Sequence, residues 1–148
     1  MKENTKLLNA RFRISLFQIS LLIIGTAIIF YLSWLPKPNI GTLPYFPGWL
    51  GKWIDANGNL RTAVPFVFLG AIMEMWFHKK MEFPQRPLFI LSILIFIVSA
   101  AEIGQLFIPE RHFDWIDIVW GTVGSVAGIV ISAISLASMP KLFVNYNK

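Results

Sequence analysis

Four apolar runs, each long enough to cross a bilayer, divide this chain. Shorter segments rich in proline, tryptophan or basic residues separate them. Ile14 to Leu35 gives 22 residues with Gln18 as the only strongly polar side chain. Leu60 to Phe77 is shorter, with Pro65 near its start and Glu74 near its far end. Leu88 to Phe107 is apolar until Glu102 and Gln105, and Trp115 to Met139 carries Asp117 early and ends before Pro140. A bilayer core takes about 20 apolar residues in helical form. The pattern therefore predicts an all-α, polytopic bundle of four transmembrane helices over residues 14–35, 60–77, 88–107 and 115–139. The first run reads as a retained anchor, because Trp34-Leu35-Pro36-Lys37-Pro38 follows it instead of a small-residue cleavage site.

The connections add detail. Residues 36–61 hold Pro36, Pro38, Pro44 and Pro47, and Trp49, Leu50, Trp53 and Ile54 suit one face of a short helix lying in the headgroup layer. Asn57-Gly58 reads as a turn before the second span. A surface loop anchored by tryptophans is expected here, with a lid over a neighbouring site as the alternative. Glu74 is expected at the interface beside His78, Lys79 and Lys80, with a buried role as the alternative. The seven residues from Ile108 to Asp114 make the last two spans antiparallel neighbours.

Composition narrows the chemistry. With 55% hydrophobic and 14% charged residues, the chain departs from a soluble domain, and the lack of cysteine excludes disulfides and thiolate chemistry. The formal charge of +5 comes from residues flanking the apolar runs. That placement suits anionic membrane lipids as partners and argues against nucleic acid. Lys2, Lys6, Arg11, Arg13, Lys79, Lys80, Arg86, Lys141 and Lys148 fall on one side, against Lys37, Lys52, Arg61 and Arg111 on the other. The positive-inside rule then puts both termini in the cytoplasm and the last connection outside.

That outer connection carries the candidate chemistry. Glu102 and Gln105 are three residues apart on one helix face, about 7 Å or less below the exit at Phe107. Arg111 is the expected partner of Glu102, and Asp114 can cap the fourth helix or join Asp117. Ionisable groups at membrane depth mark candidate functional sites, so Glu102, Gln105, Arg111, Asp114 and Asp117 form the candidate cluster, with His112 and Arg61 as accessory cations. Gly121, Gly124 and Gly128 mark one side of the fourth helix and permit close packing there.

These residues resemble the VanZ-like family of small bacterial membrane proteins. The shared pattern is an acid, a Gln three on, Leu-Phe, an Arg, two Asp spaced by three, an Asn, then spaced glycines. In this chain it falls on Glu102, Gln105, Leu106-Phe107, Arg111, Asp114, Asp117, Thr122, Gly124 and Gly128. Gly121 stands where the family usually has Asn. The family's first-half Asp-Lys…His-Phe signature is replaced by the run from Asp55 to Phe66, which leaves Arg61 or His112 to act as its cation. The resemblance implies one VanZ-like domain over residues 1–148, in the bacterial cytoplasmic membrane, with a role in glycopeptide (teicoplanin-type) resistance.

Three functions follow from the cluster. One is a binding protein that holds or masks a lipid, a lipid-linked cell-wall precursor or a lipoglycopeptide at the outer face. A second is an enzyme acting on a phospholipid or polyprenyl phosphate. In that case Glu102, Asp114 and Asp117, with His112, would hold a divalent cation such as Mg²⁺ or Mn²⁺. The third, a small transporter, fits least, since no polar stripe continues through the spans.

Overall fold

The computed structural model describes residues 2–36 and 39–138. Its helices are α1 (Lys2–Ser33), α2 (Gly48–Ala56), α3 (Gly58–Phe77), α4 (Gln85–Gln105) and α5 (Trp115–Ser138), with a short 3₁₀ turn at Ile40–Thr42. No strand occurs among the described residues. Four of the helices are long and apolar enough to cross a membrane: Arg13–Ser33 within α1, and all of α3, α4 and α5.

The expected spans hold, with shifted ends. The first stops at Ser33, so Trp34 lies in the turn beyond it. The second starts two residues early, and Gly58 opens α3 instead of completing a turn. Pro65 is therefore its eighth residue, more than a full turn inside, where it removes the N–H a helix would aim at the carbonyl four residues back. The third span starts at Gln85 and ends at Gln105, which lengthens the last connection to residues 106–114. Met139, expected to end the fourth span, lies outside the described residues.

Packing runs on glycine. A Cβ on Gly124 would strike the Ala63 carbonyl, and one on Gly128 would strike that of Val67. From the other side, a Cβ on Gly70 would lie 2.6 Å from the Ser125 carbonyl. Backbones of α3 and α5 thus touch along a seam that no larger residue would allow. In lipid, where apolar burial between helices gains little, such close contact is what holds helices together. Gly121 turns to α4, facing Val98. The apolar core is Phe66, Leu69 and Met73 from α3, Ile90, Leu94 and Val98 from α4, and Ile129 from α5.

Helix α1 is peripheral: none of its residues in the span is buried. Contacts along its length seat it. The Trp76 indole N–H donates to Ser15 Oγ at 3.1 Å, Gly25 packs on Leu69, and the Trp34 indole N–H donates to the Ala101 carbonyl at 3.1 Å. The Trp34 ring lies so close over Gly104 that a Cβ there would overlap it.

The loop before α3 is compact. Gly41 and Gly51 meet backbone to backbone, and the Gly41 N–H donates to Asp55 Oδ1 at 2.9 Å. Trp49 and Trp53 are exposed while Ile54 is buried, so the four residues expected on one face of α2 divide between two.

Candidate functional site

The polar residues concentrate at the two ends of the bundle. The turn end, between α3 and α4, holds a charge cluster that was not foreseen. Glu74 is fully buried, the lesser of the two expected placements. Its Oε2 accepts from Arg86 Nε at 3.0 Å, and its Oε1 lies 2.9 Å from Arg86 Nη2. This two-point contact is the strong form of a guanidinium–carboxylate pair. Arg86 Nη1 donates to the His78 carbonyl at 3.0 Å, and His78 Nδ1 lies 3.4 Å from Glu74 Oε1. Of the expected neighbours, Lys80 stacks over the Trp76 ring instead, at 4.2 Å.

At the other end, α1, α3, α4, α5 and the last connection meet around a cavity of about 80 Å³. Its polar lining is Ser33, Arg61, Thr62, Glu102, Gln105, Arg111 and Asp117. Glu102 and Gln105, buried on the same face of α4, are hydrogen-bonded through the Gln105 amide at 2.6 Å. Gln105 Nε2 also donates to Ser33 Oγ at 3.0 Å, which ties α4 to α1. Three residues from the end of α4, Glu102 sits about 5 Å inside the helix exit.

The expected Glu102–Arg111 pair does not form. Glu102 accepts from Gln105 and, at 3.2 Å, from the Asp114 backbone N–H. No salt bridge joins Arg111 to Glu102 or Asp117 among the described residues. Arg111 is captured by distant backbone: its Nη2 donates to the Ser33 carbonyl at 2.9 Å. Its Nε is buried without an acceptor, a situation matched among the described residues only by Ser132 Oγ. An unsatisfied buried donor costs roughly 1–3 kcal/mol. Burial pushes the Arg111 guanidinium below its usual pKa, the nearby Arg61 charge adds to that push, and Glu102 and Asp117 oppose it.

Asp117 lines the cavity, and its Oδ1 accepts from Thr62 Oγ1 at 2.9 Å across the α3–α5 seam. Asp114 does not line it. Its carboxylate turns back to accept from the Ile116 N–H at 2.8 Å and caps α5. Glu102, Asp114 and Asp117 therefore do not converge as a ligand set, and no group of three or more His, Asp or Glu is placed to hold a metal ion among the described residues. Of the two accessory cations, Arg61 borders the cavity, while His112 is exposed and outside its lining. Sequence reasoning missed Ser33 and Thr62, which no local motif marks. Across α4 from the cavity, an apolar groove of about 850 Å³ runs between α1 and α4, walled by Phe30, Trp34, Phe96 and Phe107.

A bundle of membrane-spanning helices with a charged cavity at one end defines the class of the molecule. The VanZ/LLP1 family model matches residues 6–136, nearly the whole chain, and the protein belongs to that family. The match extends well beyond the last two spans, through the first half where the family's signature is altered. No curated protein and no solved structure matches the chain.

Proposed function

We propose that this VanZ-family protein binds the polar headgroup of a lipid-anchored envelope component in the cavity lined by Arg61, Glu102, Arg111 and Asp117. On this reading the cavity faces the cell exterior, and occupancy masks the component from lipoglycopeptide drugs. One observation carries the reading: charged side chains from α3, α4, α5 and the last connection border one space, yet among the described residues Arg111 forms no salt bridge with either carboxylate. A purely structural cluster would close on itself, as the one around Glu74 does. Metal-dependent hydrolysis has less support, because the carboxylates are not grouped.

Deleting the gene in its native host is expected to change susceptibility to lipoglycopeptides. Wild-type protein should restore it and Asp117→Ala should not. An unchanged response to every envelope-targeting drug removes the reading. Orientation has its own test. The chain has no cysteine, so His112→Cys supplies one exposed thiol beside the cavity. A membrane-impermeant thiol reagent should label it in intact cells; labelling only after lysis places the cavity on the cytosolic side.

A further inference from the structure

From the unpartnered Nε of the Arg111 guanidinium, the second guanidinium beside it and the size and depth of the cavity, we infer that the group bound there is a phosphate-class anion at the junction between headgroup and chain. The inference rests on the headgroup reading above and specifies its chemistry. Among the described residues only Nη2 of Arg111 meets a protein acceptor, the Ser33 carbonyl, which leaves the buried Nε without one. The carboxylates on the same cavity already accept from protein donors: Glu102 from Gln105 and the Asp114 N–H, Asp117 from Thr62. A second guanidinium, Arg61, borders the same space. A planar guanidinium fork matches the paired oxygens of a phosphate.

Size and depth agree with this. About 80 Å³ holds several waters or one small tetrahedral group. Glu102 lies about 5 Å within the end of α4. With the end of α4 taken as the membrane surface, that is the level at which a lipid's chains meet its headgroup, so bulkier parts of the ligand would remain outside.

The test uses purified protein in detergent and equilibrium binding of labelled probes: inorganic phosphate, and short-chain phosphatidic acid, diacylglycerol and monoglucosyl diacylglycerol with matched chains. Phosphatidic acid should bind at least tenfold more tightly than either neutral lipid. Arg111→Gln should abolish that preference, and Arg111→Lys, which keeps the charge without the fork, should reduce it at least threefold. Thermal unfolding of each variant shows whether it is folded. Displacement of phosphatidic acid by inorganic phosphate identifies the free anion as sufficient. Without displacement, the lipid is the source, and both results support an anion site. Equal binding of the glucolipid, unaffected by either variant, overturns the inference and leaves headgroup binding intact. Wild-type protein that retains no probe overturns both.

Discussion

The bundle holds two guanidinium–carboxylate neighbourhoods, and they differ in how completely they close. At the turn end, Arg86 meets both oxygens of Glu74 and spends its remaining nitrogen on backbone carbonyls. At the cavity end, Arg111 makes one contact to the Ser33 carbonyl, and Glu102 is satisfied by an amide and a backbone N–H. The first is built to hold α3 against α4. The second leaves the buried Arg111 Nε unspent at the edge of a cavity. Buried charge alone does not distinguish a pin from a site; the number of unanswered hydrogen-bonding groups does.

The largest effect expected from this contrast is on the closed cluster. Arg86→Gln strands the buried Glu74 carboxylate, and removing one partner of a buried pair costs about 3–5 kcal/mol. Thermal unfolding in detergent should show a large loss, partly recovered in the Glu74→Gln, Arg86→Gln double variant. An Arg86→Gln protein as stable as wild type would break the comparison. Next comes the seam that joins the two ends. Gly124→Leu drives a side chain into the Ala63 carbonyl, and overpacking of this kind costs about 1–3 kcal/mol. The same change should weaken ligand binding, since it pushes Thr62 from Asp117.

Asp114→Ala should cost about 1 kcal/mol through loss of the α5 cap. Binding should stay within about twofold, because Glu102 uses the Asp114 backbone N–H, which alanine keeps. Calorimetry and probe binding on the same sample separate the two effects. The smallest stability change belongs to Arg111→Gln, within about 1 kcal/mol, since it removes one hydrogen bond and one unsatisfied donor together. Should this variant unfold as readily as Arg86→Gln, the cavity end would be a second pin.

The spans were legible because apolar runs of bilayer length report their own structure, and the Glu102–Gln105 face followed from helical spacing. Glu74 was misplaced because its nearest basic residues in sequence are His78, Lys79 and Lys80, whereas its partner Arg86 is brought back by a turn. The same limit applies to Arg111. Chain proximity suggested Glu102, but its acceptor is the carbonyl of Ser33, 78 residues away. The three-residue spacing of Asp114 and Asp117 suggested a shared role, yet an N-cap position turns Asp114 outward while Asp117 faces α3. Spacing along one helix is local physics; which helix lies opposite is not.

Helix α1 supplies the Ser33 wall of the cavity and none of the buried core. The core formed by α3, α4 and α5 is complete without α1, but the cavity would then lack a side. The first span, clasped by the Trp34 indole over Gly104, is what closes the cavity. Stability of the core and completeness of the cavity therefore rest on different helices.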